Sequence, residues 1–457
     1  MADETNFGGA PAERQSGKLG FWMLLALVVG TFIGSGIFQL PSQLAPLGWS
    51  SVFGWLITIG GAICLAIVFA SLARALPLAG GPYAYVEEAF GRLPAFIVAW
   101  SYWLSIWVGN AAIAIAAVSN LSVFAPQLTN TPGAGPLAAI GIIWMLTIVN
   151  CLSLRGGGRV QVVTTLIKVV PLILVAVLAI GVLNGPDGAP VPPYHASDIS
   201  LSSVNSAATL TLWALLGFEA ASIATRGVRN PERNVPRATI VGTLIVGLLY
   251  LATATPVTLF MDRAAVAASN APFAMFVSHY LSPAAGNLIA LFAAISCIGA
   301  LNGLVLISGE FPLAWARDGI FPTFFRPASK NGIAVRGQIL SSTLATLLVA
   351  SNYTKSLAGL FAFMALLSTA AALVLYFSCA TATLRLQRQG VVPSGALVTT
   401  VAGLGIIYSL WALYGAGLEA LAWGAALLAA GIVIYLVMRV LNGSSRAEAE
   451  TPAVPQE

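Results

Sequence analysis

Three ionisable side chains stand inside apolar stretches of this chain: Lys168 in TTLIKVVPLIL, Glu219 in TLWALLGFEAASIA and Glu310 in ISGEFPLAWARDG. A charge held in lipid costs at least about 2.5–3.5 kcal/mol, so such residues face a cavity or a partner. Glu219 reads as a proton-sensing or gating carboxyl, against a purely structural acid held neutral by a hydrogen-bonded neighbour. Lys168 lies three residues before Pro171 and too far inside its segment to snorkel out. Its ammonium needs carbonyls or a carboxylate beside it, or must lose its proton. It reads as a functional or site-organising group. Glu310, with Arg317 near, reads as structural.

A second pattern concerns the backbone. Between Gly30 and Gly36, VVGTFIGSGIFQLP crowds three glycines, a threonine and a serine into an apolar stretch. Small residues also serve close helix packing, and Gly30 and Gly34 have that spacing. A helix break is the other reading, and breaks are tolerated in lipid only where the freed backbone lines a cavity or is covered by protein. Gly217 beside Glu219 is the counterpart in the sixth span, if the chain holds two five-helix repeats. Interrupted apolar segments at matching positions in two halves point to a transporter's central site. Unwinding at Gly34–Gly36 exposes amide N–H groups at a helix N-terminus, suited to a carboxylate, with the Ser35 hydroxyl as a further donor. Unwinding before Gly217 frees carbonyls from about Trp213 to Leu216, suited to an ammonium. An anion seat facing a cation seat is a receptor for an amino acid or a close relative.

The elements that position these groups follow from composition. Of 457 residues, 58% are hydrophobic and 8% charged, against about a quarter charged in soluble domains. This is a polytopic, all-α membrane protein whose main partner is the lipid bilayer. Twelve apolar spans of roughly twenty residues can be read along the chain. Arg14, Lys18, Arg74, Arg92, Arg155, Arg159, Arg226, Arg229, Arg233, Arg237, Arg317, Arg326, Lys330, Arg336, Arg385, Arg388, Arg439 and Arg446 then share one face, and only Arg263 and Lys355 lie on the other. That asymmetry places both termini in the cytoplasm. Residues 1–18 and 443–457 read as disordered cytoplasmic tails. Cys64, Cys151, Cys297 and Cys379 read as small core residues, and His195 and His279 as loop residues. No cluster suits a metal, no cofactor motif is present, and no basic patch with exposed aromatics suits nucleic acid. Neither HExxH nor GxSxG occurs, so an enzyme is disfavoured.

GTFIGSGIFQLP, PLAGGPYAYVEEAFG, YWLSIWVGN, LWALLGFEAAS, NPERNVPRAT and ARDGIFP together make the chain resemble the amino acid–polyamine–organocation superfamily. The likeness is strongest to its basic amino acid/polyamine antiporter branch, of the arginine/agmatine type. The resemblance implies twelve transmembrane helices in a LeuT-like fold, with helices 1 and 6 unwound at mid-membrane. Two inverted five-helix repeats would cover 19–184 and 200–385, and helices 11 and 12 would cover 394–442. It also implies alternating access and a homodimer. By motif, Gly34, Ser35 and Gly36 would hold a substrate carboxylate. The carbonyls of Phe32, Trp213 and Leu216, with Gly217, would take the amino group, and Trp213 would cover the substrate. Tyr102, Ser105, Ile106, Asn110 and Ile113 would surround its side chain.

Two departures bear on specificity. Leu304 replaces a tryptophan of that branch, and Phe363 and Met364 lie near a position where it has serine, so the pocket is expected to be more apolar. Lys168 resembles a lysine that other superfamily members place where sodium sits in sodium-coupled relatives, bridging span 5 to span 1. With Glu219 it is the expected coupling or gating pair. The leading expectation is therefore a sodium-independent amino acid exchanger of the inner membrane, taking neutral or moderately polar side chains. The alternatives are a basic amino acid/polyamine antiporter and a proton-coupled symporter.

Overall fold

The computed structural model describes residues 20–77, 81–152, 154–186, 188–219, 228–329 and 332–449. The tail 1–18, Arg226 and Lys330 lie outside the described residues, as do the side chains of Ser35, Arg155, Arg159 and Arg446.

The described chain is helical throughout its ordered elements. In order they are α1 (Phe21–Phe32), α2 (Ser35–Leu44), α3 (Ser50–Ala75), α4 (Pro82–Phe90), α5 (Arg92–Leu121), α6 (Gln127–Asn130), α7 (Ala134–Leu152), α8 (Leu154–Leu183), α9 (Leu201–Ala214), α10 (Pro231–Leu259), α11 (Arg263–Ala268), α12 (Pro272–Tyr280), α13 (Pro283–Arg317), α14 (Val335–Ser351), α15 (Leu357–Arg388), α16 (Ala396–Gly415) and α17 (Gly417–Ala449). No β-strand occurs among them. Eight are long and apolar enough to cross a membrane; the pair α1–α2, bent by 43° at its break, makes a ninth.

Local sequence sets several boundaries. Ser200, Ser282 and Ser356 accept backbone N–H bonds three residues on, capping α9, α13 and α15, which satisfies donors that a helix start leaves orphaned. Pro283 follows its cap at the first helical position, where its missing N–H costs nothing. With 35 residues, α13 is roughly 52 Å long, more than a hydrocarbon core of about 30 Å requires.

Burial separates core from lipid-facing helices. In α5, 94% of the apolar window is buried, against 6% in α17. α5 packs against α13 and α15, α3 against α9 and α10, and α1 against α10. Leu418, Val433, Leu436 and Val440 of α17 stay exposed, the surface expected of a helix whose solvent is acyl chain.

Two boundaries differ from the sequence expectation. α17 runs on to Ala449, past residue 442, although Asn442, Gly443, Ser444 and Ser445 are poor helix formers. His279 lies in the nine-residue helix α12 rather than a loop, while His195 precedes a single 3-10 turn.

Small residues let the core helices approach. A Cβ built on Gly337 of α14 would stand 2.7 Å from the Gly309 Cα of α13, a backbone contact with no flexible atom to yield. Gly337→Ala should therefore destabilise the detergent-solubilised protein by about 1–3 kcal/mol. Gly403→Ala, where nothing lies within 4 Å, should leave or raise the melting midpoint. Equal midpoints for the two variants would remove the α13–α14 crossing as a stability determinant.

Candidate binding site

The site grows from two interruptions in the backbone. α1 stops at Phe32; Ile33 turns to ψ 95° and Gly34 to φ −135°, ψ −144°, and α2 starts at Ser35. Of the final carbonyls of α1, Val29 accepts from Ile33 N and Phe32 accepts from the Tyr250 hydroxyl at 2.8 Å. The Phe32 carbonyl, expected to take a substrate amino group, thus already holds one donor, leaving its second lone pair. Gly30 and Thr31, whose carbonyls lie beyond the reach of regular helix bonding, line a cavity.

α9 stops at Ala214 in two tightened turns, Leu215 N to Leu212 O (2.9 Å) and Leu216 N to Trp213 O (3.4 Å). Gly217 then takes φ +118°, a conformation that residues with a Cβ rarely adopt. The two breaks meet closely. A Cβ on Gly36 would lie 2.9 Å from the Ala214 Cα, so the start of α2 rests directly on the end of α9.

Between them is a cavity of about 180 Å³, many times the room a single water needs. Phe32, Gly34, Gly36, Tyr102, Ser105, Ile106, Ile113, Lys168, Trp213, Leu216, Gly217, Glu219 and Leu304 all line it. The side chain of Ser35 lies outside the described residues. Asn110 does not line the cavity. It is fully buried, and neither its Oδ1 nor its Nδ2 has a partner among the described residues. Helical geometry gives the reason: at 3.6 residues per turn, positions seven and eleven beyond Tyr102 fall back on its face, whereas position eight is turned away by about 80°. Gly109, not Asn110, continues the stripe.

Gly30 and Thr31, from the glycine-rich run, complete the wall with Gly109, Ala214, Ala300, Gly303, Ile307 and Ser368, six residues that were not singled out from sequence. Phe363 and Met364 are buried elsewhere in the bundle, and α15 presents Ser368 instead. The Ser368 hydroxyl donates to the Ser105 carbonyl at 2.7 Å, with the two hydroxyl oxygens 3.1 Å apart. Spacing could have found both residues, since Ser368 is one turn beyond Met364.

The two ionisable groups have unlike surroundings. Glu219 accepts from the Tyr102 hydroxyl of α5 and the Tyr376 hydroxyl of α15, each at 2.9 Å. One carboxylate thereby ties the α9 break to two core helices. Lys168 is 1% exposed, lies near the Cys297 thiol, and has no hydrogen-bond or ion-pair partner among the described residues. The expected bridge from Lys168 to the first span is not a hydrogen bond here.

A chain of aromatics runs outward from Tyr102 in the cavity wall. Tyr102 stacks on Phe311 and Phe311 on Trp315, with ring centroids 5.7 and 5.4 Å apart, and Tyr83 of α4 meets Trp315 edge-on. The Tyr83 hydroxyl donates to Asp318 Oδ2 at 2.5 Å. Burial and then that bond push the Tyr83 phenol above its ordinary range, so it remains a donor. No group of three or more potential metal ligands occurs among the described residues.

Known proteins share this sequence. Residues 19–442 match the amino acid permease family. The cadaverine/lysine antiporter of Escherichia coli (strain K12) is 36% identical over 337 residues, 73% of this chain and 74% of that one. The putrescine transporter PotE of the same strain is 30% identical over 436 residues, 93% and 97% of the two chains. PotE of Haemophilus influenzae is 30% identical over 429 residues, 92% and 97%. A cavity at two helix breaks, in an apolar bundle that matches the family over nearly its whole length, leaves one assignment: the chain belongs to the amino acid permease family of the amino acid–polyamine–organocation superfamily, as a multi-pass membrane transporter.

Proposed function

We propose that this protein is a sodium-independent exchanger of a basic amino acid for a diamine across the inner membrane, working by alternating access. The observation that carries the reading is the joint position of the α2 N-terminus, the carbonyl end of α1 and the Glu219 carboxylate around one cavity. An amino acid's carboxylate suits the α2 N-terminus, where Gly34, Ser35 and Gly36 supply amides. Its ammonium suits the carbonyls of Gly30, Thr31 and Leu216. A distal ammonium suits the negative charge of Glu219, whose residue lines the same cavity and whose carboxylate is fixed by the Tyr102 and Tyr376 hydroxyls. A diamine would reuse the two cation seats and leave the anion seat empty. Shared seats are what an exchanger of such a pair needs. The activities of the relatives, cadaverine/lysine antiport and putrescine transport, support the same substrate class.

The architecture in this proposal has twelve spans: the α1–α2 pair, α3, α5, α7, α8, α9 with its continuation, α10, and α13 to α17. Helices 1 and 6 are unwound at mid-membrane, the inverted repeats occupy 19–184 and 200–385, and both termini are cytoplasmic. The molecule pairs as a homodimer. Lys168 disfavours sodium coupling, since an ammonium in the wall repels a second cation.

That same charge favours a second reading, exchange of amino acids with neutral side chains. Leu304 adds to it, because an aliphatic wall offers no cation–π contact, worth about 2 kcal/mol when desolvated.

Uptake of labelled lysine, cadaverine, putrescine, alanine and serine into sodium-free proteoliposomes separates the two. The proposal expects uptake of lysine and the diamines only into vesicles preloaded with unlabelled lysine or diamine. Uptake of alanine or serine alone would establish the second reading, and uptake into empty vesicles driven by a proton gradient would replace exchange by symport.

Two variants probe the ionisable pair. Glu219→Gln should lower lysine–cadaverine exchange at least tenfold, with Tyr376→Phe losing less; parental rates in Glu219→Gln would remove the carboxylate from the cycle. Lys168→Ala should cut exchange at least tenfold while changing the substrate dissociation constant less than threefold. A variant that transports like the parent would end the coupling role of this lysine.

A further inference from the structure

The Trp213 indole is held at both ends by missing side chains. A Cβ built on Gly36 of α2 would lie 3.2 Å from Trp213 Cδ1, on the pyrrole side of the ring. One built on Gly109 of α5 would lie 3.2 Å from Cη2 and 3.7 Å from Cζ3, at the opposite, benzo edge. The ring therefore bridges α2 and α5, and all three residues line the cavity. Its Nε1 is buried and has no hydrogen-bond partner among the described residues. An unpaired buried donor carries a desolvation penalty, so this seat is held by fit of the ring's edges and not by a polar anchor.

Gly109 has no conformational reason to be glycine. It lies in the middle of α5, among residues with regular helical bonding, and its φ is not positive. Glycine there weakens the helix relative to alanine, so the space it leaves is the remaining explanation. We infer that Gly109 is a positioning residue for cargo: the notch it leaves on α5 seats the benzo edge of Trp213, and the seated ring closes the cavity between α2 and α5. Gly109 thereby sets, from the far wall, how much room the cargo has beneath the indole. The inference rests on the transporter reading above only for its choice of cargo.

The test is a double-mutant cycle with Gly109→Ala and Trp213→Phe, because a phenyl ring lacks the outer edge that reaches the notch. Two quantities are read on the purified, full-length protein: the melting midpoint without cargo, and the dissociation constants of lysine, cadaverine and serine. Gly109→Ala is expected to weaken the cargo that binds the parent about tenfold. In the Trp213→Phe background the same change should weaken it less than twofold. Without cargo, Gly109→Ala should raise the midpoint more in the Trp213→Phe background than in the parent, where the ring opposes the helix gain. Equal effects in both backgrounds would overturn the inference, as would parental affinity in Gly109→Ala.

The built Cβ also lies 3.5 Å from Ser368 Oγ, so the cycle is repeated with Ser368→Ala. Coupling to position 368 in place of 213 would overturn the role of the ring. If none of the three probes binds the parent, the functional reading fails. The cargo-free midpoints still decide the contact, and no coupling between 109 and 213 there overturns this inference.

Discussion

A backbone that leaves helical bonding inside an apolar bundle must have its freed groups answered, because lipid offers them nothing. The rest of this structure depends on how that demand is met at Gly34 and Gly217. At the first break one carbonyl of α1 is taken by Ile33 N and another by the Tyr250 hydroxyl. At the second, two carbonyls of α9 are taken by tightened turns. What stays unanswered faces the cavity, so the binding chemistry is the remainder of the hydrogen-bond demand that folding did not satisfy.

The breaks are kept in register by contact and not by a long polar network. Gly36 lies against the Ala214 backbone, so neither α2 nor the α9 end can shift without the other. Glu219 extends the coupling outward through Tyr102 and Tyr376 to α5 and α15. Those two helices are also joined by the Ser105–Ser368 pair. A change at the α9 break is therefore transmitted to the most buried helix of the bundle. Removing the carboxylate would leave two phenols without acceptors in a dry environment.

Much of this was legible in the sequence, and the limits have physical causes. The glycine-rich run marks where α1 ends and α2 begins, because glycine is costly in a helix and free to leave it. Burial of the charges at Lys168 and Glu219 follows from composition alone. Asn110 was carried over by motif, but a helix face is chosen by angle, and the angle selects Gly109. Ser368 was not picked out, since a continuous apolar helix such as α15 gives no local mark of register. The Tyr250–Phe32 bond and the two tyrosines on Glu219 join residues more than a hundred positions apart. No spacing in one sequence encodes such a pairing.

The charge balance of the cavity constrains any cargo. One amine and one carboxylate line it, and they are not partners: Glu219 is bonded to tyrosines, and Lys168 has no acceptor among the described residues. A buried ammonium without an acceptor is unfavourable, so bringing negative charge into the cavity relieves it and bringing positive charge aggravates it. A zwitterion places its carboxylate at the α2 N-terminus without adding net charge. A basic amino acid adds one positive charge and a diamine adds two. Within the proposed exchange, the diamine is thus the cargo that the wall opposes most, and Glu219 is the acid placed to offset it. The two halves of such an exchange differ by one charge at the same seats. The charge on Lys168 therefore weighs on the relative affinities of the two cargoes, while their gradients set the direction of exchange.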